Sequence, residues 1–147
     1  MERLFNFDSG PSCGVGFMKE ITIIAGNDVG SLAAVAESLG SVGVNIEAIS
    51  AYGLEGKAVF RIITSDVSTT LKALSKIPDV TINEADTIIY KMNNRPGELG
   101  KLTRKLAQKS VSLESLYIVS RKPDFTEIAI KPIEKDIART KEILGIK

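Results

Sequence analysis

Two short segments of this chain place a glycine three residues after an asparagine: Asn27-Asp28-Val29-Gly30 and Asn94-Arg95-Pro96-Gly97. Each sits between a β-branched run and a run with helical apolar spacing. A glycine at a strand-to-helix junction lets the backbone approach another group closely. The helix that follows offers unpaired N–H groups carrying partial positive charge. Such a corner suits a carboxylate. The Asn side chain adds a donor and an acceptor, enough to hold the zwitterionic end of an amino acid. The plainer alternative is that Asn and Gly simply make the turn, since both tolerate left-handed backbone.

Other chemistry is poorly supplied. The chain has no histidine, which removes the commonest general base and metal ligand. Its single cysteine, Cys13, allows neither an internal disulfide nor a cysteine-based metal cage. Acidic residues such as Glu37, Glu47 and Glu114 are scattered and read as solvated positions. Gly14-Val15-Gly16 lacks the third glycine and the preceding strand of a dinucleotide fingerprint. No catalytic residue, metal site or cofactor is therefore expected, and the protein is read as not an enzyme. The formal net charge is +1, with no overall drive toward nucleic acid or anionic membrane. The charge is uneven: residues 1–90 hold 6 Lys/Arg and 11 Asp/Glu (−5), residues 91–147 hold 13 and 7 (+6). No apolar run is long enough for a membrane span, and "MERLFNFDSGPSCGVGF" lacks the apolar core of a secretory signal. A cytoplasmic location is expected, with residues 1–17 as a peripheral arm.

The two segments belong to a repeat. A shift of 67 residues lays "NDVGSLAAVAESLGSVGVNIEAIS" on "NRPGELGKLTRKLAQKSVSLESLY" without a gap, with six identities in 24 positions. Asn27 falls on Asn94, Gly30 on Gly97, Leu32 on Leu99 and Leu39 on Leu106. The apolar positions stay in phase, so two copies of one supersecondary unit is the economical reading. The first copy reads as strand "KEITIIA", a helix with Leu32, Val35, Ala36, Leu39 and Val42 on one face, then strands "VNIEAISAYGLEG" and "KAVFRIIT". Gly43 is placed to end that helix in a left-handed cap. Ser65-Asp66 caps a second helix, which stops before Pro78, and "VTINE" closes the unit. The second copy repeats this order, with Pro96 in the first helical turn and Leu99, Leu102 and Leu106 on the helix face. Its middle strands are "SLESLYIVSRK" and "TEIAIK", and Ile133, Ile137 and Leu144 line a last helix. Its fourth strand is missing or very short.

The expected fold is thus α+β: two tandem ferredoxin-like βαββαβ modules at 18–84 and 85–147. The usual strand order, 4-1-3-2, would leave strand one of the second module with a bare edge that recruits partners.

The segments "GNDVGSLAAVAESLGSVGVNIEAI" and "NNRPGELGKLTRKLAQKSVSLESL" resemble the strand–turn–helix–strand signature of ACT domains, small regulatory modules that bind amino acids and related effectors. The resemblance covers nearly all of residues 18–147 as two tandem modules. Asn94-Arg95-Pro96-Gly97 is similar to the family's turn; the first copy has Val29 in place of the proline and matches better at "GVNIEAIS". The resemblance implies ligand contacts from Asn27, Asp28, Val29, Gly30, Ser31, Asn45 and Ile46 in the first copy. In the second it implies Asn94, Arg95, Pro96, Gly97, Glu98 and Leu99, with Ser112 where the second Asn would stand. Serine-sensing members carry a His two residues before the turn Asn, where this chain has Ala25 and Met92.

Family members bind effectors at interfaces between modules. The resemblance therefore implies a small-molecule effector, an amino acid above all, a homodimer or higher homo-oligomer, and a regulated partner that is either an enzyme of amino-acid metabolism or a transcriptional component. A ligand-free adaptor on a metabolic enzyme needs the same fold. An RNA-binding module also shares it, but requires exposed aromatics on the central strands, and this chain is only 5% aromatic.

Overall fold

The computed structural model describes residues 15–146. The first fourteen residues of the expected arm lie outside the described residues.

The repeat in the sequence is a repeat in space. Strand β1 (Val15–Gly26) leads to helix α1 (Ser31–Ser41), then to strands β2 (Ile46–Leu54) and β3 (Lys57–Thr64) and helix α2 (Val67–Leu74). Strand β4 (Thr81–Asn93) leads to α3 (Glu98–Gln108), β5 (Leu113–Arg121) and β6 (Phe125–Pro132). A 3-10 turn (Glu134–Asp136) and α4 (Ile137–Leu144) complete the chain. Both α1 and α3 have eleven residues, and both β2 and β5 have nine, offset by the 67 residues read from the sequence. The closing strand of the first copy and the opening strand of the second are one strand, β4.

The chain divides into two compact units. Among the described residues the first holds Lys19–Ala85, the second Val15–Met18 and Asp86 onward. In the first, strands run β2-β3-β1-β4, the order expected for the fold. Antiparallel register sets Ile21 opposite Ile62 and Ile23 opposite Phe60. These four point at the helices and form one core with Val35 and Leu39 of α1 and Leu74 of α2. Period-two alternation in the strands and the Val35/Leu39 spacing in α1 bring these apolar faces together.

The second unit uses the same plan. Ile88 pairs with Ile130, and both pack with Leu102, Leu106 and Ile128. Here the bare edge expected from the missing fourth strand is corrected. The neighbour of β4 away from β6 is β1, and the residues of β1 counted with this unit are Val15–Met18. Phe17 packs against this unit's core, with the Lys141 ammonium 5.1 Å from its ring centroid. The strand therefore starts before Met18, because an apolar side chain of the expected arm has a core to join. With that edge taken, the reason for expecting a second chain there is gone.

Other expectations shift locally. Leu32 and Leu99 were expected to face the core, yet both are 40% exposed in the first turns of their helices. Val42 follows the end of α1 and is exposed, and so is Ile137. The inward side of α4 is instead Thr140, Ile143 and Leu144. Pro96 stands before the helix rather than in its first turn, because Gly97 is the N-cap of α3.

Candidate functional site

Each Asn-x-x-Gly segment builds a tight turn by the same bonds. In the first, the Ser31 N–H donates to the Asp28 carbonyl at 3.2 Å; in the second, the Glu98 N–H donates to the Arg95 carbonyl at 3.3 Å. The glycine at the third turn position has φ 95° and ψ −5° at Gly30, and φ 88° and ψ −13° at Gly97. That is the type II turn, which needs glycine there because a side chain would clash, and accepts proline one position earlier. The same glycines are the helix N-caps, so neither α1 nor α3 has a side-chain cap. By contrast, α2 is capped by Asp66, which accepts from the Thr69 N–H at 3.1 Å and the Thr69 hydroxyl at 2.7 Å. Those bonds, the hydroxyl's above all, hold the Asp66 carboxyl below its usual range. The corners thus keep the positive helix starts that a carboxylate could use.

The asparagines tie each corner to a hairpin tip. The Asn27 N–H donates to Gly56 O at 3.2 Å, and the Asn94 N–H to Asp124 O at 3.1 Å. Beyond the backbone the two differ. The Asn94 amide donates to Lys122 O at 2.8 Å and accepts from Arg121 Nε at 3.3 Å, so both ends of the side chain are engaged. Asn27 is exposed and makes no side-chain hydrogen bond among the described residues. Its amide nitrogen lies over Gly53, where an added Cβ would sit 3.2 Å away. The hairpin residues Gly53, Arg121 and Lys122 were missed in the sequence because only the fold brings them beside the turn.

Electrostatics separate the corners further. Glu98 stands at the first position of α3, with Lys101 Nζ at 3.1 Å and Arg95 Nη2 at 3.3 Å from its Oε1. The hydrogen bond from Lys101 is the main cause holding the Glu98 carboxyl below its usual range. The positive start of α3 already has a carboxylate. At α1 the equivalent residue is Ser31, whose hydroxyl donates to Gly26 O at 2.9 Å. Asp28 folds back toward Gly26, its Oδ2 only 2.9 Å from where a Cβ would be. Val29 at the tip of the turn is fully exposed, and Leu32 lies partly exposed in the next turn.

Asn45 and Ile46 are not brought to this corner. Asn45 exchanges bonds with Ser65, donating from N–H to Ser65 Oγ at 3.1 Å and accepting Ser65 N–H at 3.0 Å. Asn27 sits beside one end of β3 and Asn45 beside the other, and eight strand residues span roughly 25 Å. Ser112 is likewise at the far end of its module, its N–H donating to Asp136 Oδ2 at 2.7 Å and its carbonyl accepting from Ile133 N–H. No single small molecule touches both sets within one module.

Element order and strand order in the first unit, repeated through β5 and α4 of the second, decide the fold. The chain has a tandem ACT fold. No family model matches it, and no curated protein does. Among solved structures, a protein from Bacteroides thetaiotaomicron is similar at TM-score 0.76 and 25% identity, over 89% of this chain and 88% of that one. The ligand-free regulatory subunit of aspartate kinase from Thermus thermophilus is similar at TM-score 0.60 and 13% identity, over 90% and 95%. The aspartokinase alpha and beta subunits give TM-score 0.59 and 17% identity over the same shares. On β3 and β6, the central strands where an RNA binder needs exposed aromatics, both phenylalanines are engaged. Phe60 is buried in the helix-side core, and Phe125 lies under Lys91, whose Nζ is 3.9 Å from the ring centroid. Among the described residues no cluster of His, Cys, Asp or Glu could hold a metal ion, and no helix is long and apolar enough to cross a membrane.

Proposed function

We propose that this protein is a non-catalytic regulator that binds an amino acid or similar small carboxylate at its first corner, Asn27–Ser31, and signals to an enzyme of amino-acid metabolism. The observation that carries the reading is the difference between the corners. At Asn27 the amide is uncommitted and the first turn of the helix carries no carboxylate, Asp28 in the preceding turn being folded back toward Gly26; at Asn94 the amide is engaged on both sides and Glu98 occupies the first helical position. An incoming carboxylate gains most from the N–H groups of an uncapped helix whose positive end is not yet neutralised. The ligand's ammonium group has the Asn27 carbonyl oxygen and the Asp28 carboxylate within the same turn. The likeness to a regulatory subunit of aspartate kinase supports a regulatory role and an enzyme partner.

A thermal-shift screen against the standard amino acids tests this. A ligand at roughly 100 times its Kd adds about 2.7 kcal/mol to stability, a readily visible shift. The shift is expected to vanish in Asn27→Ala and to survive in Asn94→Ala. Failure of every amino acid to move the wild type sinks the effector reading. Loss in Asn94→Ala alone moves the site to the second corner.

A further inference from the structure

We infer that the outer face of α3 and the groove beside α4 form a docking surface for an acidic, extended protein segment, whether or not an effector binds at Asn27. Around the buried Leu102 and Leu106, this helix and its C-cap present Lys101, Arg104, Lys105 and Lys109 to solvent. Lys101, Lys105 and Lys109 follow one another at four-residue spacing, a stripe roughly 12 Å long on a helix. The only carboxylate on α3 is Glu98, at its first residue and already paired with Lys101 and Arg95. Arg104, Lys105 and Lys109 have no ion-pair partner among the described residues.

The stripe ends at a groove of about 420 Å³ lined by Lys109, Arg139, Glu142 and Ile143. Its shape is held rather than loose. Arg139 Nη1 donates to Lys109 O at 3.0 Å and to Ser110 O at 3.2 Å, and lies 3.6 Å from the buried Asp136 carboxylate. Cations near a helix C-terminus often serve only the helix dipole. Here Arg139 already satisfies the carbonyls that end α3, and Arg104 lies a full turn before them.

The matching helix of the first module shows that the fold does not require this charge. Ala34, Glu37, Ser38 and Val42 stand where Lys101, Arg104, Lys105 and Lys109 stand in the second. Through its matching helix a second copy of this chain would offer that face a single acid, Glu37, so pairing helix to helix does not supply a complementary run of charge. Three cations without an ion-pair partner among the described residues, beside a groove whose lining holds no aromatic, fall well short of roughly six to ten phosphate contacts. The chemistry that fits is a run of Glu or Asp along the stripe. An apolar residue would lie over Ile143, where Glu142 disfavours a carboxylate.

Fluorescence anisotropy on the full chain tests this with a labelled Glu-rich peptide carrying one Leu. The peptide is expected to bind wild type at low salt and to weaken as salt rises. Reversing the stripe, Arg104→Glu with Lys105→Glu and Lys109→Glu, should cost roughly tenfold or more in affinity. The neutral set, Arg104→Gln with Lys105→Gln and Lys109→Gln, should fall between, and Lys57→Glu with Lys76→Glu on the first module should change little. Circular dichroism confirms that each variant is folded. The proposal is overturned if wild type does not bind the peptide, if the reversed variant binds as well, if the Lys57/Lys76 control loses as much, or if a duplex RNA of equal charge binds more tightly.

Discussion

The two strand-to-helix corners share a turn type, a glycine N-cap and an asparagine tied to a hairpin, yet they spend that asparagine differently. At the second corner the hairpin loop is one residue longer, because three residues separate β5 from β6 where two separate β2 from β3. That residue brings the Lys122 carbonyl and Arg121 against Asn94 and consumes its amide. At the first corner the shorter hairpin presents Gly53 to Asn27, and the amide stays exposed. The segment that looks most like a binding turn in the sequence is the one whose polar atoms are most occupied by the fold. A turn motif specifies backbone geometry; whether its side chain remains available is decided by residues distant in sequence.

The largest expected effects test what the modules share. Leu39 and Leu106 occupy the same place in the repeat and are essentially fully buried. Leu39→Ala and Leu106→Ala should each cost about 2–5 kcal/mol, the range for emptying a packed core site. Urea denaturation measures both, and a cost under about 1 kcal/mol at either would break the reading that each unit has its own core. Next come the corners. Asn94→Ala removes two side-chain hydrogen bonds and should cost about 1–2 kcal/mol, whereas Asn27→Ala, with none to lose, should cost under about 0.5 kcal/mol. Equal costs would mean that the Asn27 amide is committed after all.

A smaller contrast lies where the helices end. Gly43 after α1 and Ser110 after α3 both have left-handed backbone, φ 75° and 57°, and the residue following each donates back to Leu39 O or Leu106 O at 3.0 Å. Glycine adopts this conformation without strain and serine does not. Gly43→Ala should therefore destabilise by about 1 kcal/mol, and Ser110→Gly should gain up to about 1 kcal/mol. Thermal melts of the pair check the opposite signs.

Much of this was legible in the sequence for a physical reason: local pattern dictates local structure. The 67-residue repeat, the Asp66 cap, the left-handed Gly43 and the core positions Val35, Leu39, Leu102 and Leu106 follow from spacing and residue type alone. What escaped depends on tertiary neighbours. Phe17 looked like part of an arm because nothing in its vicinity is periodic, yet the core of the second unit gives it a place. Asn45 and Asn27 looked like one site because both flank α1, but the two ends of that helix are far apart. The commitment of Asn94 was hidden because Lys122 and Arg121 are 28 and 27 residues away along the chain.

The smallest expected effect distinguishes the two helix starts by pH. Glu98 has its folded pKa lowered, first by the Lys101 hydrogen bond, while Ser31 at the equivalent position does not titrate in this range. A carboxyl with a depressed folded pKa contributes stability that is present above its unfolded pKa and is lost as pH falls through the folded value. Glu98→Gln should therefore be less stable than wild type at neutral pH, and the gap should close on acidification below the ordinary carboxylate range. Added salt should also narrow it, since Arg95 and Lys101 are exposed. Ser31→Gln in the first module should show no such pH-dependent gap. A gap at Glu98 that persists unchanged into acid would mean that the side chain supports the corner through packing. Neutralisation of the α3 start by Glu98 would then lack support, and the second corner would regain its standing as an effector site.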